Sequence, residues 1–506
     1  MNAVLTKEAR KDSDSQTTAI VLALDISTSS VRAALYDEAG REVPNAEAHL
    51  VRELHTTADG GAELDAQEAV EQVVSTIDAL LSRDEARRAR IELVAVSCFW
   101  HSLVGVDTEG RAVTPVLGWA DMRAGAWAEE LRQQLDERAV HARTGCRFHP
   151  SYWPAKLRWL QEERSVVARA AQQWMSLGEF LLLTFFGETA TSVAMASGTG
   201  LLNFRSCVWD EELCERLGLS AKHLPKIAEE GQTFTRLKES FARRWPQLRE
   251  ARWFPVMPDG AANNIGAGCT SAESASLMVG TSGAMRVLCE AEPPLTLPPE
   301  LWCYRVDRKR ILLGGALSDG GGLYAWMRET LALGSETEAI ERALAAMGAD
   351  AHGLTLLPCW AGERSTGWHT TTARGAMLGL TMHTDALHIL RAAMEAIAYR
   401  FALIADALHA LVSYKHVIAS GGALDASPAW TQIIADVLGR TLLMSGVREA
   451  STRGAVLLAL EAAGQIESIT HKSAPVLQAY EPEMKRHELY RAAIARQQKY
   501  YELLIE

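Results

Sequence analysis

The chain has 506 residues, 48% hydrophobic and 23% charged, a globular balance with too much sequence for one core, so two large domains or three ordinary ones are expected. Its net charge of −12 gives no general attraction to nucleic acid or anionic membrane; a bound polyanion would have to be met by backbone N–H groups and a metal. The eight cysteines form no CxxC pair and no zinc-like spacing with histidine, which reads as reduced thiols, and no apolar run approaches the roughly 18 residues of a membrane span, so the expected location is cytoplasmic.

Residues 1–18 are polar and carry Lys7, Arg10 and Lys11; they read as a disordered tail, because the run Ala19–Leu24 is shorter than the roughly 7–15 residues of a signal-peptide core. That run suits a buried strand instead, ending in Asp25 and a turn of Ser and Thr. Val31, Ala33 and Leu35 alternate as a second strand would. Ala69, Val70, Val73, Val74, Ile77, Leu80 and Leu81 follow helical spacing after Asp65. Ile91–Ser97 and Leu103–Val106 read as further strands. In the second half, Ile311–Leu313 predicts a strand, Tyr324–Leu331 a helix, and Leu387 to Phe401 one face of a long helix. His416–Ala419 is a strand running into Ser420-Gly421-Gly422-Ala423, with a helix around Trp430 and Val437 behind it. The stretch 475–506, rich in Lys, Arg, Glu and Tyr, reads as a solvated helix with little chemistry. Trp127, Trp159 and Trp326 are expected in cores or interfaces. Alternating strands and helices make the class α/β.

There is an internal echo. Leu22–Asp25, a Ser/Thr turn and Val31–Tyr36 read strand–turn–strand, and so do Ser276–Val279, Gly280-Thr281-Ser282-Gly283 and Met285–Leu288. Two such hairpins half a chain apart suggest two copies of one fold sharing a cleft, although short hairpins also recur by chance. No Walker A pattern is present, and no GxGxxG follows the first strand. Asp25 beside Ser27, Thr28, Ser29 and Ser30 can hold hydrated Mg²⁺ and phosphate oxygens, or satisfy a hairpin turn. Asp259, followed by Gly260, Ala261 and Ala262, sits where a helix start approaches a ligand; its carboxylate can accept the proton of an attacking hydroxyl, cap the helix, or both.

With these residues on the page, the chain resembles the FGGY family of carbohydrate kinases from about residue 19 to 465. The resemblance is carried by Gly375–Leu380 with His388-Ile389 and Ala392–Glu395, by Ser420–Ala423 with Ser427 and Trp430, by Gly280–Gly283, by Gly362-Glu363-Arg364-Ser365, and by Lys156–Leu160. It implies a duplicated actin-like, ribonuclease-H-like fold with ATP and sugar between the domains. The implied division is a 19–268 domain that binds sugar and carries the base, a 269–470 nucleotide-binding domain, and a helical tail at 471–506. Asp259 is implied as the catalytic base. Asp25, with Asp259, is implied on the Mg²⁺ side. Thr28, Ser29, Ser30, Thr281, Ser282, Gly283, Gly321, Gly421, Gly422, Ala423 and Ala426 are implied at the nucleotide, and Trp100, His101, Asp121, Arg123, Ser151, Tyr152, Lys156 and Gly260 at the sugar. Ser27 stands where the family usually has Gly, and Trp153 where it has a small residue or Pro.

Within the family the nearest likeness is to gluconate kinases, through Trp100–Val104, Trp119–Arg123, Arg143-Thr144-Gly145, His149-Pro150 and Gly280–Arg286. His149 stays open between a packed residue and a sugar contact. The implied reaction is in-line transfer of the ATP γ-phosphoryl to a sugar-acid hydroxyl, with Arg123 and Lys156 available for the acid and equally available for structural ion pairs. The rivals are a kinase of a neutral sugar or polyol (xylulose, ribulose, glycerol), an actin-like ATPase without sugar kinase activity, and an inactive sensor. The implied partners are ATP and the small sugar, not nucleic acid or membrane, with a homodimer as the assembly considered.

Overall fold

Two hairpins of similar build organise the molecule. A computed structural model of the protein describes residues 21–334, 336–365 and 373–505; the polar start at 1–18 lies outside the described residues. In the first half, β1 (Val21–Ile26), β2 (Ser30–Tyr36) and β3 (Glu42–Val51) form an antiparallel meander, followed by α1 (Ala66–Leu81) and β4 (Leu93–Cys98). β4 returns parallel to β1, with Asp25 beside Ser97. The cap helix α2 (Trp153–Glu163) and the short strands β5 (Arg252–Trp253) and β6 (Met257–Pro258) lead to α3 (Asp259–Gly266). The sheet order is β5-β4-β1-β2-β3, with β6 also pairing with β4. α1 buries the predicted apolar stripe, and Asp65 caps it by accepting from the Glu68 N–H at 2.8 Å.

The second half repeats the plan. β7 (Ser274–Val279) and β8 (Gly283–Glu290) form the second hairpin, β9 (Trp302–Arg305) and β10 (Arg310–Leu317) extend it, and α4 (Gly321–Thr330) and α5 (Ala386–Leu411) follow. β11 (His416–Ser420) lies parallel to β7, just as β4 lies parallel to β1. Then come α6 (Gly422–Ala426), α7 (Pro428–Leu438), β12 (Leu442–Ser445), α8 (Ala450–Ala462), β13 (Val476–Tyr480) and α9 (Met484–Leu504). The order is β9-β10-β8-β7-β11-β12-β13. Each sheet has its own apolar core, and a third core around Leu103, Phe148, Trp153 and Leu157 underlies the cap of the first half.

Several local expectations change. The strand at Val104–Val106 leaves the main sheet and pairs with Gln173–Met175. Residues 475–506 are not a solvated tail: β13 closes one edge of the second sheet, and α9 buries Tyr490, Ala493, Ile494, Gln497 and Tyr501. Their spacing of three, one, three and four is a helical stripe, hidden in the sequence because it mixes Tyr and Gln with small residues. α8 packs Ala455, Val456, Ala459 and Leu460 against Val21, Ala23 and Ala95 of the first sheet, so the chain crosses back before it ends. Trp159 is buried, but Trp326 is 46% exposed, its ring 6.1 Å from that of Trp360. All eight cysteines are free and buried, and among the described residues no helix is long and apolar enough to cross a membrane.

Candidate active site

The parallel strands aim their C-terminal ends at one cleft. β6 stops beside Cys98, so Asp259, the first residue of α3, emerges next to the turn that follows β4. Its Oδ1 accepts from the N–H of Gly260 at 2.7 Å and of Trp100 at 3.3 Å. Burial raises the Asp259 pKa, while these N–H groups, Arg286 and Arg364 work against the rise. The result is an oriented carboxylate more basic than one in water, as a general base requires.

Asp25 ends β1. Its Oδ1 is sealed from solvent with no partner among the described residues, and its pKa is pushed up to about 7, first by burial and further by the charges of Asp259 and Glu449. A buried carboxylate oxygen with no protein partner among the described residues, feeling the charges of two further acids, fits the approach of a divalent cation. The β1–β2 turn is held from within: Ser27 Oγ accepts from the N–H groups of Ser30 (3.0 Å) and Ser29 (3.3 Å), and Arg52 Nε donates to the Ser27 carbonyl at 3.1 Å. The serine in the usual glycine place therefore engages the N–H groups of Ser29 and Ser30, and its hydroxyl also lies 3.4 Å from that of Ser29.

On the nucleotide side, Gly283 begins β8, and the turn before it carries exposed Thr281 and partly exposed Ser282. Gly321 opens α4 with its N–H on the Gly280 carbonyl at 2.7 Å, so this backbone group braces the turn instead of facing outward. Gly421 has φ 109°, and a Cβ there would lie 2.3 Å from the Val279 carbonyl oxygen. Gly422 opens α6 with nothing within 4 Å of where its Cβ would stand. The conformation thus demands Gly421, and Gly422, followed by Ala423 and the exposed Ala426, leaves a surface free for a ligand.

On the sugar side, aromatic rings wall the pocket. The Trp100 ring packs 4.7 Å from Tyr304 and 5.9 Å from His101, and a Cβ on Gly260 would lie 2.9 Å from Trp100, so only glycine lets the two approach. His101 has left-handed backbone, φ 67°. Its Nδ1 bonds the Gly198 carbonyl at 2.5 Å, which places the proton on Nδ1 and leaves Nε2 an acceptor. Burial, then the Arg364 charge, holds its pKa well below the usual value, so the ring is neutral. His149 is buried and accepts the Ser151 N–H on Nδ1 at 3.1 Å. Tyr152 and Tyr304 join hydroxyls at 2.5 Å across the two halves.

Asp121, Arg123, Ser151 and Lys156, expected at the sugar, turn out to be engaged with the protein, as does the neighbouring Trp153. Arg123 lies between Asp121 and Glu63, each at 2.5 Å, and covers the Trp159 ring at 4.7 Å, because a buried aspartate needs a cation. Lys156 Nζ donates to the carbonyls of His101 and Gly118, each at 2.8 Å, and fixes the backbone that presents His101. Ser151 Oγ donates to the Trp119 carbonyl at 2.7 Å. The buried Trp153 sends its indole N–H to the Ser102 carbonyl at 2.9 Å. Arg286, Arg364 and Tyr304 were missed. The two arginines stand in the quoted segments Gly280–Arg286 and Gly362–Ser365, so family context was the available signal; nothing local marks Tyr304. A cavity of about 840 Å³ lined by Phe254, Arg310, Ala459 and Glu467 contains none of these groups and lies apart from this chemistry.

A duplicated α/β fold, an aspartate at a helix start, a Ser/Thr turn in the first half and glycine turns in the second are the features of a two-domain kinase of small molecules. Residues 20–249 match the N-terminal domain of the FGGY family of carbohydrate kinases and residues 275–463 match its C-terminal domain; the chain belongs to that family. It is 28% identical over 468 residues to the gluconokinase of Bacillus subtilis, covering 89% of each chain, and 28% identical to the glycerol kinase of Koribacter versatilis, covering 88% of this chain and 90% of that one. Among solved structures it is similar to the gluconate kinase from Lactobacillus acidophilus, with a TM-score of 0.88 at 26% identity over 96% of this chain and 98% of that one.

Proposed function

We propose that this kinase transfers the γ-phosphoryl group of ATP to a hydroxyl of gluconate or a closely similar sugar acid. The observation that carries the transfer chemistry is the Asp259 carboxylate, oriented by two backbone N–H groups and kept basic by burial. Asp259 takes the proton of the attacking hydroxyl as the bond to phosphorus forms. Asp25 and Asp259 would hold the Mg²⁺, whose charge, when bound, offsets that of the phosphates. The Thr28 and Ser29 hydroxyls and the Thr281–Gly283 turn would position the nucleotide, and the Trp100, His101 and Tyr152 wall would orient the sugar and exclude water.

Gluconate is supported by gluconokinases among the relatives and by a gluconate kinase among the similar structures. A neutral substrate is the second reading, favoured by glycerol and xylulose kinases that align over similar spans at similar identity. ATP consumption across sugar acids, ketoses and polyols tests the proposal. We expect gluconate to give the highest kcat/KM; a neutral sugar ahead by tenfold or more, about 1.4 kcal/mol, would reject gluconate while leaving the kinase class intact.

A further inference from the structure

Arg286 lies on β8, in the second half, opposite Ser276 of β7 and Gly314 of β10. It is only 9% exposed, and its Nε and Nη1 are buried without a hydrogen-bond partner among the described residues; the Ser276 Oγ is in the same state. A buried guanidinium with open N–H groups is costly unless something fills them. The missing partner belongs at the sugar end of the cleft. Arg286 Nη2 lies 3.5 Å from where a Cβ would stand on Gly260, against the Trp100 ring and next to the base. Asp259 attracts it and Arg364 repels it. Arg364 covers the Trp119 ring at 5.5 Å and acts on His101 and Asp259 as well. Two guanidinium groups therefore share one carboxylate, whose Oδ1 already accepts the backbone N–H groups of Trp100 and Gly260.

We infer that Arg286 is the specificity-determining residue that binds the carboxylate of the sugar acid, from the half of the molecule opposite to the one that carries the base. This rests on the sugar-acid reading above. It replaces Arg123, held by Asp121 and Glu63, and Lys156, which gives two of its N–H groups to backbone carbonyls, as the source of acid recognition. A planar two-donor fork suits a carboxylate, and Nη2, which reaches towards Gly260, forms one with either of the unpartnered Nε and Nη1. The acid would then be held from the second half while Asp259 of the first meets the reacting hydroxyl.

The test compares gluconate with glucitol, which has the same carbon chain and a CH₂OH in place of the carboxylate. Binding of each is measured by calorimetry without nucleotide, and ADP with Mg²⁺ is measured separately, for the wild type, Arg286→Met and Arg286→Lys. Thermal melting of each variant checks the fold. The expected result is a gluconate Kd raised at least tenfold by Arg286→Met with a much smaller change for glucitol, and partial recovery in Arg286→Lys, which keeps the charge but not the fork. Equal weakening of both sugars would overturn the inference, because Arg286 would then serve Asp259 or the fold. So would a loss confined to ADP, which would make it a phosphate ligand. A wild type that prefers gluconate and still does so as Arg286→Met overturns Arg286 alone. A wild type with no preference for the acid overturns the sugar-acid reading and this inference with it.

Discussion

At the residue scale, the base and the nucleotide glycine can each be tested by a change that spares the fold. Asparagine at 259 keeps an oxygen for the N–H groups of Trp100 and Gly260 but cannot take a proton. Asp259→Asn should therefore lower kcat by roughly 10²–10⁴-fold and leave melting temperature and ADP affinity nearly unchanged; wild-type turnover would remove Asp259 from the chemistry. Gly422→Val places a branched side chain in open space, whereas Gly421→Val drives a Cβ to 2.3 Å from the Val279 carbonyl oxygen. The first should weaken ADP binding at least tenfold with sugar affinity and melting temperature retained, and the second should lower the melting temperature. Calorimetry with each ligand checks both, and equal loss of the two ligands in Gly422→Val would count against a nucleotide role. Asp25, Asp259 and the glycine turns could be proposed from the sequence because the case for each is local. The partners of Arg123 and Lys156 were not: nothing near Arg123 in sequence points to Glu63, and nothing near Lys156 points to the Gly118 carbonyl.

At the scale of elements, the sequence revealed what repeats and concealed what returns. The two hairpins could be read because apolar runs and turn residues alternate within about 15 residues. α9 could not, because its buried face is matched by a partner about 100 residues earlier. Glu395 of α5 is wholly buried and accepts from Arg391 Nε (2.6 Å), His352 Nε2 (3.0 Å), Tyr399 OH (2.8 Å) and Tyr490 OH of α9 (2.9 Å). Asp350 stands with His352 and Glu395 in a cluster of metal-ligand type, but these bonds already satisfy the carboxylate. Glu395→Ala would leave the Arg391 charge buried and unmatched, and should cost about 3–5 kcal/mol. Tyr490→Phe removes hydrogen bonds to both members of the ion pair and should cost less, about 1–3 kcal/mol. Denaturant unfolding of the two variants checks the order. A neutral Glu395→Ala would mean that α9 is not held through this network.

At the scale of the whole molecule, the two halves meet along a seam and at a crossing. In the seam, β9 docks on the cap: His141 Nε2 bonds the Leu301 carbonyl at 2.8 Å, Cys303 N–H the Gly145 carbonyl at 3.1 Å, and Arg305 N–H the Ser197 hydroxyl at 3.0 Å. Burial lowers the His141 pKa to about 4. The unfolded chain therefore binds more protons than the native one between the ordinary histidine value and pH 4, and the seam should lose up to about 3 kcal/mol as pH falls through that range and nothing above it. His141→Gln keeps a donor for Leu301 and should flatten this part of the stability–pH curve; an unchanged curve would exclude His141. At the crossing, α3 and α8 touch backbone to backbone: a Cβ on Gly266 would lie 1.7 Å from the Ala450 carbonyl oxygen, and one on Gly454 1.8 Å from that of Ala262. Neither contact can be relieved by a rotamer, so Gly454→Ala should cost at least the roughly 1–3 kcal/mol of an overpacked core. α3 starts at Asp259 and α8 lies against the first sheet, so this crossing ties the returning chain to the helix that carries Asp259. The acid grip proposed for Arg286 and the base proposed at Asp259 lie in opposite halves, and the turns proposed to meet the phosphates lie in both. Gluconate together with a non-hydrolysable ATP analogue should therefore close the cleft and reduce the radius of gyration in small-angle scattering, and each ligand alone should do so less. A radius unchanged by both ligands together would mean that the cleft is already closed without them, and that substrate selection does not depend on closure.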